Sequence, residues 1–363
     1  MRSTSYQSTL TEPLKKYESS FGLRQRNKKT VWGEIMKQFL IVAVATLVGV
    51  ATSQTQVVAQ GYPTRPITVV VPFPAGGPSD VIARIVSENM SKTLGQTMVI
   101  ENVGGAGGTI GSARVAAAAP DGYTLLAGSM GSHVAAPVLT PGIKYGPQDF
   151  VPIGPTAHSP AVIIARKDFP AKDLREFIAY LKKHGAAVKQ AHGGIGASSH
   201  MACLLFTSEI KASPTLVAYR GSVLGMNDMI GGHVDFLCEQ SVSVSRQVQA
   251  GSVKAYAISA SARLAALPDV PTAKEAGINY QMSIWAGVFA PRGTPKPIVD
   301  KLSTALDAAL DDPTVRKRIM DLGGDIPGKP ERNPKAFDAY VKAEAARWAP
   351  ILKAAFQAAR QKN

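Results

Sequence analysis

From Ile67 onward the chain alternates short apolar runs with longer segments whose apolar residues recur every three or four positions. ITVVVPF (67–73) reads as a buried strand, and Asp80 to Leu94 as a helix with Ile82, Ile85, Val86 and Met90 on one side. Strand TMVIENV (97–103), helix Ile110 to Ala119, the turn Pro120-Asp121-Gly122 and strand YTLLAGS (123–129) follow. This order predicts a parallel, doubly wound beginning. Pro137 to Asp149 reads as a Pro- and Gly-rich loop. AVIIARKDF (161–169) is a strand, Leu174 to Lys183 a helix, and Val188 to His192 a short strand. The pattern continues with a helix from Ser198-Ser199 through Phe206, strand TLVAY (215–219), a helix around Met226 to Ile230, and strand VDFLC (234–238). A helix to Ala250 and strand VKAYAIS (253–259) come next. The tail holds WAGVFAP (285–291) and two long helical segments, Pro297 to Leu310 and Ala336 to Ala359.

Glycine turns punctuate this pattern where strands hand over to helices. Pro74-Ala75-Gly76-Gly77-Pro78-Ser79-Asp80 follows the first strand, and Glu101-Asn102-Val103-Gly104-Gly105-Ala106-Gly107-Gly108 follows the second. A helix start exposes backbone N–H groups and carries partial positive charge, so such turns suit an anion. Two of them in one array point to a cleft for a carboxylate or phosphate; the alternative is two ordinary βα turns. Gly193-Gly194-Ile195-Gly196 is a third glycine turn, with Ser198-Ser199 placed to cap the helix after it.

The N-terminus changes the picture of where the chain works. Met36-Lys37 precedes Phe39 to Val50, twelve apolar or small residues, then a polar stretch and Val57-Val58-Ala59. This is a secretory signal layout, with cleavage expected after Ala59, and it is shorter than the roughly 20 residues of a membrane span. Residues 1–35 are polar and basic and read as an over-called extension before a true start at Met36; a long basic n-region is the alternative. The first cysteine is Cys203, so a lipid anchor at the cleavage site is not expected. The formal net charge of +14 falls to about +9 without residues 1–59, which carry eight basic and three acidic side chains. The densest basic cluster is Arg316-Lys317-Arg318, with no aromatic-interleaved basic stripe, so a solvated basic surface is expected rather than a nucleic-acid partner.

The run YPTRPITVVVPFPAGGPSD followed by ENVGGAGGTIGSARVAAAAPDGYTLL resembles the tripartite tricarboxylate transporter receptors, or Bug proteins. DFVPIG (149–154), AYRGS (218–222), MIGGHVDF (229–236), LPDVPTAKEAG (267–277) and APRGTPKPIVDKL (290–302) extend the resemblance over residues 61 to 356. It implies a two-lobed α/β periplasmic binding protein, type II or Venus flytrap, each lobe a mostly parallel sheet flanked by helices. Lobe one is expected at 61–157 plus 255–363 and lobe two at 158–254, with crossings near Thr156 and Ala255. The implied function is capture of a small carboxylate in the inter-lobe cleft by a monomer, for delivery to membrane subunits of a tripartite transporter, without cofactor or metal.

The resemblance assigns ligand contacts motif by motif. The PFPAGG loop, with Phe73, Ala75, Gly76, Gly77 and Asp80, matches the loop that wraps the anchored carboxylate. Its glycines allow close backbone approach, and Asp80 is expected to cap the helix and fix the loop rather than face the anion. Gly196, Ser198 and Ser199 match the loop of the second lobe, and Gly76, Gly77, Ser129 and Ser199 are expected to line one cleft. Tyr219, Arg220 and Gly221 match the family's Tyr-Lys-Gly turn, with Arg keeping the charge as a planar fork. A surface ion pair is the alternative for Arg220. His192 stands where small or hydroxyl residues are common; it is either a ligand contact or a structural histidine. Glu239-Gln240 replaces a common Asp-Gln at the carboxyl end of a strand, where open α/β sheets bind ligands. Glu239 favours a ligand with a donor group at its far end, unless it pairs with Arg220. Cys203 and Cys238, the only cysteines, are expected to form a disulfide in the oxidising periplasm, as in relatives that share the ACLLF segment. Two separate buried thiols are the alternative.

Enzymatic readings lack their motifs. Gly104 to Gly111 has no Lys-Ser/Thr of a phosphate-binding loop and the wrong glycine spacing for a dinucleotide fold. Ser129 and Ser222 do not sit in a Gly-x-Ser-x-Gly elbow. His192, His200 and Cys203 form no closed zinc pattern, and the MACLLF context of Cys203 reads as buried helix, against a secreted cysteine hydrolase. A receptor that signals to a sensor kinase uses the same cleft and stays open as an alternative to transport.

Overall fold

The computed structural model describes residues 61–360, and the expected signal peptide, its cleavage after Ala59 and the start at Met36 lie outside them. Pro63–Asn363 is one compact unit. Its first strands are β1 (Ile67–Val71), β2 (Met98–Asn102) and β3 (Thr124–Ser129), which pair in parallel in the order β2-β1-β3. Helix α1 (Pro78–Leu94) buries Ile82, Ile85, Val86 and Met90, the face its spacing predicts. Gly95 ends it in the left-handed conformation. Helix α2 (Thr109–Ala116) crosses back to β3.

Strand β4 (Phe150–Arg166) is 17 residues long and runs through both lobes. Its first part, Phe150–Pro160, pairs antiparallel with β9 (Ser283–Pro291), which in turn pairs with β3. Its second part pairs with β7 (Phe236–Gln240) on one edge and β8 (Val253–Ile258) on the other. Beyond β7, strands β5 (Lys189–His192) and β6 (Thr215–Ala218) continue in parallel. Each lobe is thus a mostly parallel sheet with one reversed strand, and the lobes share β4.

Strand β4 pairs with β9 as far as Pro160 and with β7 from Ala161, and β8 pairs with the second part of β4. One expectation changes here. The 137–149 loop is partly helical: a wide turn at Gly131–Ala135 leads into helix α3 (Ala136–Leu139), whose Pro137 sits in the first turn where no N–H is needed. Pro152, Pro155 and Pro160 hide β4 from a sequence reading, and its register on β9 shifts between Pro152 and Gly154 and between Pro155 and Ala157.

The second lobe carries α4 (Leu174–His184), α5 (Ser198–Glu209), α6 (Ser222–Ile230) and α7 (Ser241–Gln249). Asp173 caps α4 by accepting the Glu176 N–H at 2.8 Å, and Lys182, Lys183 and His184 complement the dipole in its last turn. The chain closes with α8 (Lys296–Asp311), α9 (Pro313–Asp321), which the hydrophobic pattern does not announce, and α10 (Pro334–Arg360). The main core joins first-lobe residues such as Leu126, Trp285 and Phe289 to Phe177, Phe206 and Phe236 of the second lobe. No helix among the described residues is long and apolar enough to cross a membrane.

Candidate functional site

A small cavity lies between the lobes, lined by Phe73, Gly77, Ser79, Ser198, Ser199, Ser222 and Glu239 among others. Four helices begin at it. The N-caps are Gly77 for α1, Ala197 for α5, Gly221 for α6 and Gln240 for α7, and none of them bonds a first-turn N–H through its side chain. Each helix start brings the positive end of its dipole to the same space, although in α7 the Val242 N–H donates to Ser159 Oγ at 3.4 Å. No Lys or Arg lines the cavity. An anion held there would be held by backbone donors and hydroxyls rather than by a salt bridge.

The PFPAGG loop is fixed from behind. Asp80 Oδ2 accepts the Gly76 N–H at 2.9 Å and Arg84 Nε at 2.9 Å, while Asn102 Nδ2 donates to Asp80 Oδ1 at 2.9 Å and to the Phe73 carbonyl at 3.0 Å. Asp80 thus ties down the residue ahead of the helix; it does not cap a first-turn N–H. Burial works to raise the Asp80 carboxyl, but the hydrogen bonds from Arg84, Gly76 and Asn102 hold it below the ordinary value. Ala75 and Gly76 are exposed and do not line the cavity.

The second wall is the turn before α5. Ser199 Oγ accepts the Gly193 N–H at 3.0 Å, and His192 Nδ1 accepts the Gly194 N–H at 3.2 Å. His192 is buried, and burial lowers its pKa, so it is a neutral brace for the turn and does not line the cavity. Gly196 and Ser129 lie outside the lining as well, although the Ser129 hydroxyl is buried without a partner. Tyr219 gives its hydroxyl to Asp228 at 2.7 Å, and Arg220 is exposed. Neither faces the cavity.

The glycine turn at 104–108 acts at the seam between the lobes instead of around the cavity. Gly107 has φ +68°, and a Cβ there would stand 1.9 Å from the Ile195 carbonyl oxygen of the opposite lobe. Gly221, φ +143°, likewise lets Pro74 pack against the α6 turn. Only glycine allows the backbones at 107 and 195 to touch and the Pro74 ring to lie against residue 221. Gly107→Ala should therefore oppose closure and weaken binding of a cleft ligand roughly tenfold or more, as forced overpacking does. Its positive φ adds a stability cost of about 1–2 kcal/mol. Calorimetry and small-angle scattering with and without ligand check this; a variant that compacts on binding as the wild type does would contradict it.

Glu239 is the one acid in the lining and is 3% exposed. It takes hydrogen bonds from Ser222 and the Gln240 N–H, the latter at 2.7 Å, and not from Arg220. Burial pushes its carboxyl up to about 7 despite those bonds. The folded chain then keeps a proton that the unfolded chain releases near its ordinary value of 4.5. The stability this gives is fully present below pH 4.5 and is lost as pH rises through about 7. Relative to Glu239→Gln, the wild type should lose about 3 kcal/mol across that window. Urea unfolding of both proteins at several pH values measures the difference, which is needed because buried His133 and His200, lowered by burial to about 3, titrate in the opposite sense. A pH-independent difference would remove the assignment.

Residues of the lining that sequence reasoning did not offer as ligand contacts include Ser79, Ser222 and Val223, whereas Gly193 and Gln240 stood only as parts of a glycine turn and of a strand end. The available signal was positional, since Ser222 and Gln240 stand at helix starts after strands β6 and β7. Cys203 on α5 and Cys238 on β7 form a disulfide, with Cα atoms 5.2 Å apart, that ties one helix of the site to the strand carrying Glu239. Among the described residues no group of His, Cys, Asp and Glu is arranged to hold a metal ion.

Comparison with known proteins identifies the family. A family profile described as tripartite tricarboxylate transporter family receptor matches residues 82–356. A UPF0065 protein of Agrobacterium vitis, from the TAR-I ttuE-ttuC' intergenic region, is 39% identical over 90% of this chain and 93% of its own length. MatC from Rhodopseudomonas palustris, solved with bound malate, is 45% identical with a TM-score of 0.78, covering 80% of this chain and all of MatC. The periplasmic binding protein BugD is 43% identical with a TM-score of 0.78, covering 81% of this chain and 98% of BugD. The family profile is that of a receptor and not of an enzyme, and the chain belongs to the tripartite tricarboxylate transporter receptor family, with a two-lobed periplasmic-binding-protein fold.

Proposed function

We propose that this chain captures a small carboxylate between its lobes and presents it, as a closed monomer, to the membrane subunits of a tripartite transporter. The convergence of four helix starts, none capped by the side chain of its own N-cap residue, on a cavity without basic side chains carries the reading. A carboxylate satisfies several of those N–H groups at once, and the absence of a fixed counter-ion leaves release to lobe opening. Gly77, Ser198, Ser199 and Ser222 are the proposed anchors, with ordered water completing the shell. The 45% identical MatC was solved with bound malate, a small carboxylate of the class proposed.

Glu239 marks the far end of the proposed site. In its protonated form it donates a hydrogen bond to the ligand, and in its ionised form it repels a second carboxylate. Affinity for a dicarboxylate should therefore fall as pH rises through about 7, and Glu239→Gln should remove that fall. A thermal-shift screen of mono-, di- and tricarboxylates, amino acids and aromatic acids tests the function. A true ligand at a hundred times its dissociation constant adds roughly 2.7 kcal/mol. No stabilisation by any carboxylate, with an amine or neutral compound stabilising instead, would overturn the reading.

A further inference from the structure

A second cavity of about 70 Å³, partly open to solvent, lies behind α5, away from the cleft. It shares no lining residue with the cavity between the lobes. Helix α5 separates the two: Ser198 and Ser199 belong to the cleft, whereas His200, Leu204 and Thr207 line the second cavity. Gln190 of β5 lies at its buried end, 1% exposed, and neither its amide oxygen nor its amide nitrogen has a hydrogen-bond partner in the protein. A buried amide with both atoms unsatisfied is costly, and an aliphatic residue at this strand position would avoid the cost. The amide is retained in a cavity, which is where a ligand can satisfy it.

The remaining lining states what that ligand is. No Asp, Glu, Lys or Arg lines the cavity. His200, 1% exposed, is held neutral because burial lowers its pKa to about 3. A charged molecule would be desolvated there without a counter-ion. Leu204, Leu216 and Ala355 supply apolar surface, with Leu216 at the rim, 39% exposed. We propose that this cavity is a second binding site, for a small uncharged molecule with a primary carboxamide or lactam head on a short apolar body, the head paired with the Gln190 amide. A planar head with donor and acceptor side by side makes two parallel hydrogen bonds to a glutamine amide, and the apolar body covers Leu204 and Ala355. The proposal stands whatever the cleft binds.

The test uses the mature chain with benzamide and 2-pyrrolidinone as probes, and benzoate as the charged control, followed by saturation-transfer NMR and by methyl shifts of Leu204 and Leu216. Benzamide should bind and shift those methyls, and Gly77→Val, which fills the cleft, should leave its affinity unchanged. Gln190→Leu should weaken benzamide roughly tenfold or more through loss of both hydrogen bonds. The same variant should fold with an equal or higher Tm, because it removes a buried unsatisfied group; Gln190→Met serves if it does not fold. Absence of benzamide binding, equal binding by Gln190→Leu, or loss of binding in Gly77→Val would each overturn the site.

Discussion

Gly77→Val is expected to abolish carboxylate binding while leaving the chain folded. Gly77 has extended backbone, φ −76° and ψ 170°, which any residue adopts. A Cβ there would lie 3.5 Å from the Pro74 carbonyl oxygen and 3.8 Å from Val223 Cγ2, which is ordinary contact. The backbone therefore accepts valine, but its two methyl groups enter the cavity that Gly77 lines beside Ser79 and Ser222. Replacing glycine at this N-cap costs about 1 kcal/mol of stability. The cleft loses both volume and the close approach to the loop N–H groups, so affinity should fall roughly 100-fold or more. Gly77→Ala should fall between the two. Calorimetry with the carboxylate that most stabilises the wild type reads the effect, and wild-type affinity in a folded Gly77→Val protein would sink the anchoring role of the loop.

Removing the disulfide is expected to cost about 3–4 kcal/mol in the chain-entropy model, since Cys203 and Cys238 are 35 residues apart. Both cysteines are fully buried, so the bond should resist reductant in the native state and yield only on unfolding. The paired Cys203→Ala and Cys238→Ala change also frees α5 relative to β7, and with it Ser198 and Ser199 relative to Glu239. Weaker ligand binding should therefore accompany the lower stability. Denaturant unfolding, with alkylation and mass analysis before and after reduction, measures both. A double variant within 1 kcal/mol of the wild type, or two alkylatable thiols in unreduced folded protein, would remove this account.

Several features of the fold were legible because they are local. The period of Ile82, Ile85, Val86 and Met90 announces α1, and the apolar run of β1 announces a strand buried on both faces. The glycine turns also stood out, and the order of motifs named the receptor family over most of the chain. What failed was also local in cause. Prolines at 152, 155 and 160 disguise β4, because a residue without an N–H argues against a strand, and here the ladder accommodates them through shifts in register. Helix α9 begins with Pro313 and buries only Val315 and Ile319, too little apolar periodicity to read.

The candidate site divides along the same line. Sequence by itself determined that Gly77, Ser198 and Ser199 stand at helix starts, since turn chemistry and capping are properties of a few neighbouring residues. Only the tertiary structure decided that Ser222 joins them, because four helix starts meet through sheet order and lobe closure, which no local pattern encodes. It also gave Asp80 the loop-fixing bond expected of it, and committed the His192 and Tyr219 side chains to hydrogen bonds within their own lobe, away from the cavity. Gly107 is the sharpest case. Its sequence context suggests an anion loop, but the residue it serves is Ile195, 88 positions away, and what it supplies is the missing Cβ that lets two backbones touch.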